Sequence, residues 1–200
     1  MSAARPVPVL ALRVVLVLVA LVLTATVSGR GTAAEAAPTA GTTASSTQNV
    51  GPALGWAQDV VYVQDDASSR WPVAAATKAL SKGSSLRLVL VARCPAPGAD
   101  GAPVQCIRVS SKDLGGGTLA GTTDWTFVKS TNKLSTATVQ LNDRWAKHAS
   151  YADRLNIAEH ELGHGVGLPH VKRTSSIMNA VAHGRTKPDA GDLRALKARY

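Results

Sequence analysis

The stretch His160-Glu161-Leu162-Gly163-His164-Gly165-Val166-Gly167-Leu168-Pro169-His170 constrains this chain more than any other part of it. Its spacing is H-E-x-x-H-x-x-G-x-x-H. Residues four apart stack on one helical face, so His160 and His164 would point at a common centre from adjacent turns. Glu161 projects beside them, placed to hold a water rather than to ligate. Gly167 can take a left-handed conformation that ends the helix, and Pro169 stiffens the return of His170 as a third ligand. Three neutral imidazoles leave one position of a tetrahedral zinc open for water, as a catalytic rather than a structural site requires. Zinc brings the pKa of such a water toward ~7, and Glu161 could accept its proton and pass it to a leaving group. The five fixed positions would match by chance in about one chain of this length in 10⁵. A site that holds metal without catalysis is the competing reading. The acid at 161 weighs against it, since a structural zinc has no use for an unligated carboxylate there.

The chain around this stretch has 200 residues, room for one domain with a single core. With one Phe, three Tyr and four Trp, that core must be built mostly from Val, Leu and Ala. Residues 1–36 read as a signal peptide. Arg5 and Arg13 precede the apolar run Val14 to Val27, and Ala34 and Ala36 form an Ala-x-Ala pattern. The run is shorter than the ~20 residues that span a bilayer, so export with no lasting membrane insertion is expected. Residues 37–55 form a Ser/Thr/Ala-rich flexible leader with little to bury, and the folded domain is expected over 56–200. Without residues 1–36 the chain keeps 19 basic residues against 12 acids. These are scattered, with no interleaving of aromatic and basic residues, so a nucleic-acid surface is not expected.

Periodicity gives a coarse element order. Val60 to Val63 reads as a strand ending at Asp65-Asp66, and Ser68 to Ser81 as a helix with Pro72 in its first turn and Gly83 at its stop. Leu86 to Ala92 is nearly continuously apolar, which predicts a central buried strand. Ile107 to Ser110 and Ala137 to Leu141 read as strands; Thr118 to Thr123 and Trp125 to Val128 read as exposed or edge strand. Tyr151 to Val166 is helical, and a last helix follows Pro188 through Leu193 and Leu196 to Tyr200. The order predicts an α/β (α+β) fold with a mixed sheet of about five strands, two long helices and a C-terminal helix. Cys94 and Cys106, an even pair in an exported chain, predict one disulfide. Gly115 to Gly117 has no following Lys-Ser/Thr and is not a phosphate loop.

On the eleven-residue motif, the chain resembles the metzincin metallopeptidases, and within them the matrixin-like, small secreted bacterial type. Ser176-Ile177-Met178-Asn179 is similar to their Met-turn, with Met178 beneath the metal, and Pro188 to Tyr200 looks like the closing matrixin helix. The resemblance implies a zincin fold with a twisted sheet, one catalytic Zn2+ on His160, His164 and His170, and Glu161 as general base and acid on a zinc-bound water. It also implies protein or peptide substrates bound along an upper edge strand at Thr118, Leu119, Ala120 and Gly121. His183, just past the Met-turn, falls near the wall of the pocket for the residue after the cleaved bond. A monomeric, extracellular endopeptidase is expected. The alternative is a secreted zinc-binding interaction protein that kept the scaffold without turnover; a third reading keeps the enzyme and gives it the short peptides of a bacterial-type cell wall. Val171 stands where matrixins usually have Ser, and the paired acids of the last helix are reduced to Gly191-Asp192. His148 and His183 are too few for a second zinc, and Asp65, Asp66, Asp100, Asp124 and Asp143 form no calcium loop, so calcium is not expected. No cysteine precedes Cys94, so latency through a cysteine-bearing propeptide is not expected either.

Overall fold

The computed structural model describes residues 54–97 and 104–200. The signal peptide read over 1–36 and the leader up to residue 53 lie outside the described residues, as do residues 98–103 of the cysteine loop. Five strands, β1 (Val60–Asp66), β2 (Arg87–Val91), β3 (Cys106–Lys112), β4 (Gly121–Val128) and β5 (Lys133–Asn142), form one sheet in the order β2-β1-β3-β5-β4. All neighbours run parallel except β4, which is antiparallel to β5 after a turn at Asn132. Helix α1 (Val73–Ser81) connects β1 to β2, and α3 (Tyr151–Gly165) carries the histidine motif. A short helix α2 (Asp143–Ala146) follows β5, and α4 (Ala190–Lys197) closes the chain. This is the mixed α/β architecture that the element order implied.

The sheet sorts by burial as its strand order requires. Ile107 and Val109 on β3 and Val139 and Leu141 on β5 are all buried at the sheet's centre. α1 and α3 pack on each other, and α3 also lies against β4 and β5. β2 departs from expectation. Its apolar run sits at the sheet edge rather than the centre, with Leu88 buried and Leu90 43% exposed. Only one strand pairs with it, and the face that carries both leucines is covered at Leu88 and opens to solvent at Leu90. Ordered β4 begins at Gly121, so Thr118, Leu119 and Ala120 form the approach to the strand rather than its first residues. α2 was not foreseen; Asn142 caps it, its side-chain oxygen accepting from the Arg144 N–H at 3.0 Å.

The helix that bears the motif is fixed at both ends. Ser150 caps its start by accepting from the Asp153 N–H at 3.1 Å. Its end turns at Gly167 with φ +88°, where a Cβ would lie 2.1 Å from the Leu54 carbonyl oxygen. The last carbonyls of a helix need outside donors. Here the Trp56 indole N–H donates to Gly165 O at 3.0 Å, and the Tyr200 hydroxyl donates to Val166 O at 2.9 Å while accepting from the Trp56 N–H. Arg199 reaches Gly167 O and Leu54 O. Thus the two ends of the folded domain clamp the turn that delivers His170. Asp143 ties the sheet top together by accepting from Ser68 and Ser111 hydroxyls and the Trp71 indole. Burial works against its charge, but these donors together hold its carboxyl below the usual range. The Cys94–Cys106 disulfide joins the exit of β2 to the start of β3, with Cα atoms 5.8 Å apart. Closing a loop of this size contributes about 3 kcal/mol in the chain-entropy account.

Candidate active site

His160, His164 and His170 meet as the spacing implied. Their Nε2 atoms lie 3.1 Å apart in all three pairings. The other ring nitrogens explain the orientation. His160 Nδ1 lies 2.7 Å from the Ile177 carbonyl oxygen, and His164 Nδ1 lies 2.8 Å from that of Leu168. A carbonyl can only accept, so both Nδ1 atoms carry the hydrogen, and the Nε2 lone pairs of the neutral rings face a common point. Burial lowers all three pKa values, that of His160 to about 4, which keeps the imidazoles neutral. A point 2.0–2.1 Å from each nitrogen, the usual zinc distance, lies about 1 Å off their plane. The donor set therefore fits a metal ion, and among the described residues no other His, Cys, Asp or Glu group of three does.

The turn beneath the histidines is built from a buried acid. Asp192, only 2% exposed, accepts from the Ser176 hydroxyl and from the Ile177 N–H at 3.1 Å. Ser176 Oγ in turn accepts from the Met178 N–H at 2.9 Å. The same Asp192 closes a reciprocal capping box with Asp189 at the start of α4 and takes a hydrogen bond from Arg173. Ile177, whose N–H Asp192 holds, supplies the carbonyl that orients His160. Met178 is buried, and its sulfur sits where a Cβ on Gly163 would come within 2.4 Å. Gly163, a variable position of the motif, is thus the gap in α3 that admits the methionine.

Glu161 is fully buried, and burial raises its pKa to about 7, against the lowering effect of a hydrogen bond from Thr123. Thr123 Oγ1 lies 2.7 Å from Glu161 Oε2; Oε1 has no hydrogen-bond partner among the described residues. A buried, partnerless carboxylate oxygen beside three converging imidazoles is suited to taking a proton from water at a metal.

A comparison with protein families agrees with this geometry. The family model described as Matrixin matches residues 109–200, from within β3 to the end of the chain. The chain is matrixin-like. No curated protein matches it. The matched part holds α3, the Met178 turn and α4, while β1, α1 and β2 lie before it.

The remaining candidate residues of this matrixin-like chain are placed differently. Thr118 is exposed, Leu119 is partly so, and Ala120 and Gly121 are buried, Gly121 against Glu161 of α3. The Ala120 carbonyl accepts from the Asn142 N–H at 2.9 Å, and the Asn142 side chain donates to Leu119 O at 2.7 Å. Alternation along an antiparallel strand then leaves the backbone of Gly121 and Thr123 facing the open edge. His183 is exposed, and its N–H donates to Asn156 on α3 at 3.1 Å. His148 is on the surface. Gly163 and Asn142 gave no functional signal in the sequence, and Thr123 was read only as part of the edge strand Thr118 to Thr123, not as a partner of Glu161. A glycine inside an otherwise regular helix was the one trace of the first.

Proposed function

We propose that the chain is an exported zinc-dependent endopeptidase in which His160, His164 and His170 hold the ion and Glu161 moves the proton. The convergence of three neutral imidazoles beside the buried Glu161 carboxylate carries this reading. Bound zinc supplies a Lewis acid that polarises a peptide carbonyl and acidifies water. Glu161 accepts the proton of the attacking water at Oε1 and delivers it to the leaving amine. Burial raises the carboxyl's pKa above the usual range, which suits a group that holds the proton before passing it on. Substrate lies extended along the open edge of β4, approached by Thr118, Leu119 and Ala120 and paired at Gly121. His183 flanks the pocket beyond Met178. Export is supported by the leader pattern and by the disulfide, which persists in oxidising compartments. Among the described residues, no helix is long and apolar enough to cross a membrane.

The test is cleavage of a mixed peptide library by the purified protein and by Glu161→Gln, with bound zinc quantified in each. The expected result is cleavage by wild type alone, with about one zinc per chain in both. Zinc in both and cleavage by neither would make the chain a zinc-binding interaction protein. Cleavage that survives a strong chelator would end the zinc reading.

A further inference from the structure

We propose that Thr123 is a positioning residue for the Glu161 carboxylate, which has room to sit there because Gly121 carries no side chain. The inference rests on the peptidase reading of Glu161. Thr123 points inward from β4 and is 2% exposed. Its hydroxyl lies 2.7 Å from Glu161 Oε2 and 2.9 Å from the main-chain oxygen of the same residue. One hydroxyl therefore lies within hydrogen-bond distance of both the carboxyl and the helix turn that bears it. A glutamate side chain has three rotatable bonds, so a carboxyl without such a grip samples several positions. With Oε2 held, Oε1 is the oxygen left to meet water.

Gly121 makes the arrangement possible. A Cβ there would stand 2.8 Å from Glu161 Cγ and 3.1 Å from Oε1. Any side chain at 121 would push the carboxyl off its seat. β4 thus contributes twice from one face, a hydroxyl at 123 and a vacancy at 121, spaced by the two-residue period of a strand. A threonine hydroxyl has one hydrogen and two acceptor sites. It can donate to Oε2, or donate to the 161 carbonyl while accepting at Oε2, so the grip persists whichever partner carries the proton.

A purely structural threonine would also fasten β4 to α3, so the test must separate the two roles. Thr123→Val keeps the shape and removes the hydroxyl, Thr123→Ser keeps the hydroxyl, and Gly121→Ala displaces the carboxyl from the other side. Each is made in the full zinc-loaded chain. The readouts are kcat, KM, zinc content and affinity for a peptide phosphinate, whose acidic oxygen must share a proton with Glu161. Thr123→Val is expected to lower kcat about ten- to a hundred-fold, as for loss of a hydrogen bond to a charged group. KM should stay within about twofold and zinc content unchanged, and phosphinate affinity should fall about tenfold. Thr123→Ser should recover kcat to within about threefold, and Gly121→Ala should resemble the Val variant. A Val variant with wild-type kcat and phosphinate affinity would overturn the inference. So would a Ser variant no better than Val, with both lowering the thermal midpoint alike. If wild type binds the phosphinate but cleaves nothing, the peptidase reading falls while a loss of affinity in Thr123→Val still upholds the positioning. Wild type that neither cleaves nor binds overturns both.

Discussion

Two acids flank His160 on α3, and both are buried. Glu161 leans toward β4, where Thr123 holds one of its oxygens. Glu159 is close enough to Asp192 to feel its charge, and neither of its oxygens has a hydrogen-bond partner among the described residues. Burial raises both pKa values, Glu161 to about 7 and Glu159 to about 8, the latter raised further by Asp192. A third buried acid, Asp192, is surrounded by donors instead: Ser176, Ile177, Asp189 and Arg173. The contrast shows that burial alone does not assign a carboxylate its role. Donors turn Asp192 into a structural anchor, a single hydroxyl leaves Glu161 one oxygen to use, and Glu159, with no donor among the described residues, has its pKa raised by burial.

The strongest way to break this contrast is to neutralise each α3 acid separately. Glu161→Gln should lower kcat/KM by about 10³-fold while zinc stays bound, within the range expected for loss of a general base. Glu159→Gln should leave kcat/KM within about threefold, because its oxygens have no hydrogen-bond partner among the described residues. Peptide-cleavage kinetics on the two variants settle the matter. Equal losses would mean that Glu159 shares the proton work and that the two acids are not separately tuned.

Asp192→Ala sharpens the same contrast from the side of the well-partnered acid. It leaves the Ser176 hydroxyl and the Ile177 N–H facing an empty acceptor site in the interior, and it removes the capping box of α4. Breaking one side of such a buried network costs about 3–5 kcal/mol. Because Ile177 O orients His160, zinc affinity should also fall about ten- to a hundred-fold, as for other partners that orient metal-bound histidines. Denaturant unfolding and a competitive zinc titration measure the two effects. A large loss of stability with unchanged zinc affinity would show that the Met178 turn holds His160 without Asp192.

The sequence carried the parts of the site that are local along the chain. Two histidines one turn apart and a third after a glycine turn need only helix geometry to meet, so His160, His164 and His170 converge as their spacing implied. Gly167 is legible in part: its positive φ is a local matter, but the Leu54 carbonyl that a Cβ there would strike comes from far along the chain. The partners that orient the histidines were not legible, because Ile177 and Leu168 contribute backbone carbonyls and any side chain could stand there. Thr123 and Gly121 act across 38 and 40 residues of chain on Glu161, and strand alternation alone cannot say which helix residue a buried threonine will meet. The position of β2 was misread because an apolar run reports that a strand is covered, not how many strands cover it. Leu88 finds cover from α1 at the edge of the sheet, and no central position is needed. Gly163 shows the opposite case: an odd residue in a helix was visible, and its reason appeared only when Met178 docked there.

The smallest expected effect tests whether Glu159 is held neutral. Its pKa rises from 4.5 in the unfolded chain to about 8 in the folded one, through burial first and the charge of Asp192 second. Below pH 4.5 the acid is protonated in both states and adds no penalty. As pH rises from there, the unfolded chain releases the proton while the folded chain keeps it, so stability falls, and the loss levels off once pH passes about 8. Glu159→Gln removes this proton linkage and keeps the shape. Relative to wild type, the Gln variant should therefore gain about 2 kcal/mol between pH 5 and pH 7, with no further relative gain above about pH 8. Urea unfolding of both proteins at pH 5, 7 and 9, each saturated with zinc, reads the difference directly, since proton effects of the histidines are common to both and cancel. A difference that stays constant with pH would mean that Glu159 ionises in the folded chain as readily as in the unfolded one. The acid would then have a donor or a cation beside it, and the distinction between the two flanks of His160 would disappear.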